Sequence, residues 1–561
     1  ALPTRIVVEA AQGAPGVAAP ARERRGRRGS ANVSGPPPDE GAGPHRLAAR
    51  DRAHWLVKEL QDCVPGAAAE VIALLGRART EGWPEVLRAA LYADAVAALV
   101  ANDGRLREAV TTLRQQAELD GEPVMEALAL ALGSWDQLAG GHPEAAVAAD
   151  ADLARATVLL ELAEDLDRYN RYERASAHIA AAVSYGYRRL WELEDEQYQL
   201  AERVLVRGEE KFLRAVVLFN RAELQMKWAC ALREIDEQEE VGRHCRLGSQ
   251  AVGVALQQAD LPHTWRSGLA VVDLMFAALS GKSVADDARR LPADELYYEF
   301  AAHLPLAEAL ADASHGRRRS SMEKASRALA ALGPATRPEE YDLALFLWAE
   351  QNETAKGGPS PALRYAKRQA RLRWQSRLSA LASMRSLLRG ERLRGEHALF
   401  RRHAFFDDLT GLANRRELHR FLGLLATKGA GRVTLMLCDI DNFKRVNDRF
   451  GHLVGDMVLV EVASLLSASV RSADLAARLG GDEFVLVLDK VDLGSAEVRA
   501  SAIVRDLAER SLSHAPPGLK VRLSIGVAGG HAGQAEELLR RADVGLYQAK
   551  AAGGSRCVAV R

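Results

Sequence analysis

Cysteine, aromatic side chains and long apolar runs are all scarce in this chain of 561 residues. The five cysteines lie far apart, without the paired spacing of a zinc site or a disulfide framework, which favours a reducing cytoplasm. Aromatic residues make up 6% against a hydrophobic content of 48%, and this Ala- and Leu-rich composition favours helices over β-sandwiches. No apolar stretch has the length of a bilayer span, so we expect no membrane segment.

Neither sign of charge is in excess, because Lys plus Arg and Asp plus Glu each number 75. Whole-molecule charge therefore indicates neither a nucleic acid nor a membrane as partner. The length predicts several structural units. Shifts in composition divide the chain into a disordered tail, a helical region, a basic linker helix and a mixed α/β domain, at 1–50, 51–355, 356–403 and 404–561.

One stretch of the helical region has small and large apolar residues at the spacing of a helical repeat. Small residues occur where two antiparallel helices would approach each other, and larger apolar residues occur at the positions between these small ones. The series is Leu159, Leu162, Ala163, Leu166, Ala175, Ile179 and Ala182. This series resembles the tetratricopeptide repeat, although Tyr187 stands where that repeat ends in proline. We predict a solenoid that senses a ligand or protein partner, with an irregular helical bundle as the alternative.

The linker has a narrow apolar seam in which Trp374, Leu381 and Leu388 recur every seven residues, with Leu378 and Met384 beside them. Such a seam can pair with a second copy of the same helix. No acidic residue lies between Lys367 and Arg389, although five arginines do, at 368, 371, 373, 377 and 385. This charge opposes close pairing unless an acidic partner neutralises it. We favour a coiled coil that couples the helical region to the following domain over a solvated connecting helix.

A Gly-Gly-Asp-Glu-Phe sequence at 480–484 lies between two apolar runs, 475–479 and 485–488, which predicts a β-hairpin. The glycine pair permits positive φ at the turn, and the two carboxylates are hard oxygen ligands for a divalent metal. Upstream, a predicted strand at 433–438 ends in Asp439. The alternation of strands and helices after residue 404 predicts a ferredoxin-like palm.

Several spaced motifs in 404–561 resemble those of the GGDEF family of diguanylate cyclases. They follow one another in order at 408–415, 439–444, 447–448, 451–452, 455–456, 471–474, 480–484 and 524–528. The resemblance implies an enzyme that condenses two GTP into cyclic di-GMP and releases pyrophosphate. Since one site holds one GTP, it also implies a homodimer with two facing half-sites.

The resemblance also implies a role for each matching residue. Asp482 and Glu483 would be catalytic, with Asp482 as the candidate base. The metal, Mg²⁺ or alternatively Mn²⁺, would be held by Asp439, the Ile440 carbonyl, Asp482 and Glu483. GTP would be bound by Asn442, Phe443, Lys444, Asn447, Asp456 and Lys550, and the inhibitory product by Arg471 and Asp474.

Part of this chemistry also follows from the residue types. Asp439 and Asp482 are expected on adjacent strands, where their carboxylates can share one or two metal ions. A carboxylate and an amide, as in Asp456 and Asn447, match the two donors and one acceptor of guanine's edge. Backbone N–H groups at the start of a helix after Asp441 can hold phosphates.

Two readings stay open. Arg471 and Asp474, three apart, also fit an ordinary surface ion pair. Gly554 stands where the family commonly has a phosphate-binding arginine, so either triphosphate binding is weaker or Arg556 substitutes. The alternative function is a catalytically weak cyclic di-GMP receptor or scaffold that signals through the helical repeats.

Overall fold

The structure, a computed structural model, forms two compact units, Ala1–Arg392 and Leu393–Arg561. The residues that it describes are 44–61, 63–139, 143–163, 168–205, 211–258, 261, 263–284, 298–334, 337–353, 359–427, 431–510, 516 and 519–561. Most of the tail predicted at 1–50 lies outside this set, but its last residues are helical, since the first helix begins at Pro44. Of the helices described, none combines the length and the hydropathy that crossing a bilayer requires.

The first unit is helical, as predicted. Its helices are α1 Pro44–Gln61, α2 Ala67–Glu81, α3 Pro84–Ala101, α4 Leu106–Asp120, α5 Pro123–Ala139, α6 Pro143–Leu162, α7 Arg168–Tyr187, α8 Trp191–Val204, α9 Lys211–Glu234, α10 Gln238–Leu256, α11 His263–Leu279, α12 Tyr298–Ala301, α13 His303–Ser314, α14 Arg318–Ala331, α15 Pro338–Gln351 and α16 Pro361–Phe405, the last of which belongs to this unit as far as Arg392. Proline opens six of them, where its missing N–H and fixed φ suit the first turn.

The residues of the predicted repeat do not converge on one contact between α6 and α7. Ala175, Ile179 and Ala182 are buried in a cluster built mainly from α8–α15. Leu159 packs at the edge of a different cluster, and Leu162 is 38% exposed. Leu166 lies outside the described residues. The helical architecture is confirmed, whereas the tetratricopeptide-like repeat stays a prediction.

The linker helix α16 is one continuous helix of 45 residues. Its seam residues Leu381, Met384 and Leu388 are buried in the same core as helices α1–α7. Leu378, predicted beside them, is 43% exposed. The seam that was expected to pair with a second copy is therefore covered by the chain's own helical unit.

The second unit is a mixed sheet with helices. Its strands are β1 Ala413–Asn414, β2 Arg432–Ile440, β3 Leu475–Gly480, β4 Glu483–Asp489, β5 Leu523–His531 and β6 Cys557–Val560, and its helices are α17 Arg415–Thr427, α18 Phe443–Phe450, α19 His452–Ala468, α20 Leu493–Glu509 and α21 Ala535–Ala551. The strand order is β1-β3-β4-β2-β5-β6. The run from β2 to β5 follows the βαββαβ order of the predicted ferredoxin-like palm. Sequence reasoning did not predict β1, α17 or β6.

Helix α21 lies unusually close to strand β5. A Cβ atom on Gly526 would lie 1.9 Å from the carbonyl oxygen of Ala542, and one on Gly545 would lie 3.2 Å from the Cα of Gly526. Only a pair of glycines permits this approach. The close packing fixes the position of α21 and hence of Lys550 near its carboxyl end.

Candidate active site

Two carboxylate-bearing segments meet at one edge of the sheet. Strands β2 and β4 are antiparallel, and their register places Asp439 opposite Glu483. The N–H of Ile440 lies 3.4 Å from the carbonyl oxygen of Asp482. Asp439 thus lies near the end of β2, and Asp482 lies in the turn directly before the neighbouring strand β4.

The hairpin turn has the backbone that its glycines predict. Gly480 has φ 143° and Gly481 φ 55°, and Gly481 offers its carbonyl oxygen to Arg478, which donates from Nε at 3.0 Å and from a terminal nitrogen at 2.8 Å. Arg478 also donates to Asp407 at 2.9 Å. This arginine therefore ties the carboxylate-bearing turn to the segment that follows α16.

Asp407 and Arg478 were missed by sequence reasoning. Burial opposes ionisation of Asp407, but hydrogen bonds from Thr410 and Arg478 outweigh it and lower the pKa of Asp407. The sequence does show an arginine, Arg478, two residues before the glycine pair. Nothing in the sequence alone, however, indicates that it binds an aspartate 71 positions away.

Lys550 is the cation of the site. Its Nζ lies 2.6 Å from Oδ1 of Asp439, whose side chain is 10% exposed. Burial raises the pKa of Asp439, the hydrogen bond from Lys550 opposes that rise, and the nearby carboxylates of Asp482 and Glu483 add to it. Negative charge is thus concentrated beyond what one ammonium group balances.

The donor set suits a hard divalent cation. Carboxylate and carbonyl oxygens are the ligands that Mg²⁺ takes. Burial and, to a lesser degree, the nearby carboxylates of Asp482 and Glu483 raise the pKa of Asp439, and a bound cation would oppose both effects. Within the described part of the chain, no group of three or more His, Cys, Asp or Glu side chains is arranged to hold a metal. The fit therefore rests on the two carboxylate segments and the Ile440 carbonyl.

The turn after β2 opens helix α18. Asn442 has left-handed φ 56° and its carbonyl oxygen accepts from the N–H of Arg445 at 2.9 Å. The first N–H groups of a helix have no acceptor within it, so those of Phe443 and Lys444 are suited to bind phosphate oxygens.

Asp441 holds this turn to the segment after α21. Its Oδ1 accepts from the Ser524 hydroxyl at 2.6 Å, and its Oδ2 accepts from the backbone N–H of Ser555 at 2.7 Å. Gly554 has φ 72°, and a Cβ there would lie 2.8 Å from Asp441 Oδ2. The departure from the family pattern at Gly554 thus belongs to a contact that sequence reasoning missed. Arg556 is exposed and donates to the Gly554 carbonyl at 3.2 Å.

The two residues expected to read guanine lie on neighbouring helices. Gly455 on α19 is so close to Asn447 on α18 that a Cβ would lie 1.9 Å from Asn447 Oδ1. Asp456 follows Gly455 and is exposed. The Asn447 amide and the Asp456 carboxylate therefore belong to one corner of the domain.

Arg471 and Asp474 lie at the other end of β3 from the glycine turn, about 20 Å away by strand length. Asp474 is buried, and its carboxylate accepts from the backbone N–H groups of Arg471 and Asp489, each at 3.1 Å. Arg499, which sequence reasoning missed, pairs with it at 3.4 Å. Asp474 thus holds the local backbone, while the Arg471 side chain is exposed.

Replacing Gly554 by arginine should harm the site rather than restore the family pattern. The positive φ and the clash with Asp441 should lower the free energy of unfolding by about 2 kcal/mol. Urea denaturation of the full chain measures this. Gly533→Arg is the matched control, because a Cβ at Gly533 meets nothing within 4 Å. A variant as stable as the control would contradict the prediction.

Comparison with known proteins agrees with this geometry. The family model described as "Diguanylate cyclase, GGDEF domain" matches residues 404–556. The chain is 43% identical over 163 residues to the response regulator PleD of Caulobacter vibrioides, covering 28% of this chain and 36% of that protein. It is 38% identical over 154 residues to diguanylate cyclase DgcS of Shewanella oneidensis, covering 27% and 51%. The chain thus spans about a third to a half of these relatives.

The chain is also similar in sequence to solved structures of GGDEF domains. A microbial GGDEF domain whose interaction with cyclic di-GMP has been solved is 34% identical, with the match covering 29% of this chain and 99% of that chain and a TM-score of 0.25. The coiled coil and GGDEF domain of DgcB from Caulobacter crescentus, in complex with c-di-GMP, is 30% identical, covers 33% and 99%, and has a TM-score of 0.30. Residues 404–556 of the chain therefore match the GGDEF domain family.

Proposed function

We propose that the chain is a diguanylate cyclase that converts two GTP into cyclic di-GMP and two pyrophosphates. The observation that carries this proposal is the meeting of Asp439 with the Asp482–Glu483 turn on adjacent strands, beside Lys550. The GGDEF family of the domain supports the same reaction.

In the proposed reaction, the 3′-hydroxyl of each GTP attacks the α-phosphorus of the other. A P–O bond forms, the bond to pyrophosphate breaks, and the hydroxyl proton passes to a base, for which we propose Asp482. Two such steps close the ring. Because one site binds one GTP, two copies must bring their sites face to face, so the active form is a homodimer.

The other residues of the site would bind the metal, the phosphates and the guanine base. Asp439, the Ile440 carbonyl, Asp482 and Glu483 would hold Mg²⁺ or Mn²⁺, which when bound lowers the pKa of the attacking hydroxyl and neutralises charge at the phosphate. Lys550 and the N–H groups at 442–444 bind the phosphate oxygens. Asn447 and Asp456 bind the guanine edge, and adenine would place an acceptor against Asp456 at a cost of about 1–3 kcal/mol.

Asp482→Ala should reduce GTP turnover at least about a hundredfold, because the site loses both a metal ligand and the proposed base. Pyrophosphate release and cyclic product are measured with pure protein, GTP and Mg²⁺. Asp506→Ala, an exposed aspartate on α20, is the control and should leave turnover unchanged. Undiminished product from the Asp482 variant would refute the assignment.

Lys550→Met should shift the acid limb of the pH profile of turnover to higher pH. Removing the ammonium removes the group that lowers the pKa of Asp439, so that pKa rises and the carboxylate is lost at a higher pH as the solution is acidified. Turnover is measured from about pH 5 to 9. Lys490→Met, an exposed lysine, is the control. An acid limb that stays in place or moves to lower pH would contradict this role.

We further propose that Arg471 binds the cyclic product and that this binding inhibits the enzyme. Since Asp474 is already bonded to the local backbone and to Arg499, the exposed Arg471 guanidinium is the group best placed to fork onto a phosphate or guanine.

Arg471→Ala should therefore raise the inhibition constant of cyclic di-GMP at least about tenfold while leaving initial turnover unchanged. Arg505→Ala, an exposed arginine on α20, is the matched control. Inhibition as strong as in the wild type would exclude Arg471 from the product site. A wild-type chain that binds the dinucleotide yet releases no pyrophosphate would favour the receptor alternative.

We propose that the helical unit regulates this activity by binding a ligand or protein partner in the cytoplasm. A tetratricopeptide-like repeat is the proposed architecture of its α6–α7 segment, on the pattern of residues 159–182. Deleting residues 1–362 and comparing GTP turnover with that of the full chain would show whether the helical unit restrains or promotes turnover.

A further inference from the structure

The linker helix α16 is bound along one side by the helical unit. Leu381, Met384 and Leu388 are 6%, 1% and 3% exposed and lie in the core formed with α1–α7. Trp374, the first residue of the same seam, packs against the second core. The face of α16 between residues 374 and 388 is thus already in contact with its own chain.

Arg377 anchors this docked helix. Its side chain is 4% exposed, and its guanidinium lies 4.2 Å from the ring centroid of Trp374 and 4.8 Å from that of Trp191. It also donates two hydrogen bonds to Glu192, at 2.7 and 2.9 Å. Removing the carboxylate that accepts both hydrogen bonds of a buried guanidinium leaves an unpaired buried charge, which strongly destabilises the packing around it.

Three more arginines of α16 face acidic residues of the helical unit. Arg392 donates to Glu161 at 2.6 and 2.7 Å, and Arg385 lies 3.9 Å from Glu196. Arg373 pairs with Glu234 and lies 3.6 Å from Asp342. The acidic partner that the positive run requires is therefore the helical unit of the same chain.

We propose that this docking is an autoinhibitory contact that competes with pairing of α16 between two copies of the chain. The seam from Trp374 to Leu388 cannot pack against the helical unit and against a second helix at once. In the docked form, the seam residues Leu381, Met384 and Leu388 are covered, and carboxylates of the helical unit pair with the arginines at 373, 377, 385 and 392. Release of α16 exposes the seam for a second copy, and a ligand that binds the released form of the helical unit better shifts the equilibrium towards the dimer.

The inference rests on the proposed function in one respect, that synthesis of the cyclic product needs two copies. Substitutions of acidic residues in the helical unit weaken the docking of α16 and leave the sequence of α16 itself unchanged, so they test the proposed competition directly. The variant carries Glu192→Ala and Glu161→Ala, which removes the partners of Arg377 and Arg392. The control is Glu202→Ala on α8, since Arg221 on α9 binds that carboxylate.

Sedimentation equilibrium without nucleotide gives the dissociation constant of the dimer, and GTP turnover is measured at protein concentrations below the wild-type constant. In the double variant we expect the dissociation constant to fall at least about tenfold and turnover per chain to rise, because docking no longer competes with pairing. The control should match the wild type.

A double variant that is as helical as the wild type but dimerises no more tightly, or turns over more slowly, would overturn the proposal. If it does not fold, Glu161→Ala with Glu196→Ala replaces it, as both carboxylates are at the surface, and the dissociation constant should then fall about threefold. Tighter dimers with no product from any variant would refute the cyclase and leave the docking inference standing.

Discussion

The antiparallel pairing of β2 with β4 is the constraint on which the site depends. Its register sets Asp439 opposite Glu483, and the two-glycine turn then carries Asp482 beside the end of β2. Burial raises the pKa of Asp439, and the nearby carboxylates of Asp482 and Glu483 raise it further. The sheet forces charges together that side chains alone would keep apart, and this unfavourable arrangement is what makes the site suited to a cation.

Close backbone contacts position the positively charged Lys550 beside Asp439. Gly526 and Gly545 let α21 approach β5, and the Asp441 carboxylate holds the turn after α21 through Ser555. Lys550 therefore reaches Asp439 from a helix fixed at both points. Gly554, which on the family pattern looks like a lost arginine, is instead the residue that lets this turn pack against Asp441.

The sequence predicted elements whose signal is local. Strand β2, the hairpin and α21 each have a continuous apolar pattern with clear turn residues at their ends, and their bounds differ from the structure by only a few residues. Strand β1 has two residues and β6 four, too short for a pattern to show. Asp441, Asp407 and Arg499 were missed because their partners lie between 25 and 114 residues away and come together only through the sheet.

In the linker helix, too, the sequence shows the apolar pattern but not the surface that contacts it. Its heptad seam predicted pairing with a second copy, whereas Leu381, Met384 and Leu388 are buried against the chain's own helices, because apolar periodicity does not say which surface covers it. The arginine row decides in favour of the chain's own helical unit, since a second copy would bring the same positive charge, whereas Glu161, Glu192 and Glu234 bring the opposite one. Under the proposed autoinhibition, the apolar seam of α16 can pair with a second copy, whereas its arginines favour the helical unit, so the two partners compete for one helix. The proposed regulation requires that the free-energy difference between the docked and the paired form be small enough for a bound ligand to reverse it, because a ligand shifts an equilibrium only by its difference in affinity for the two forms.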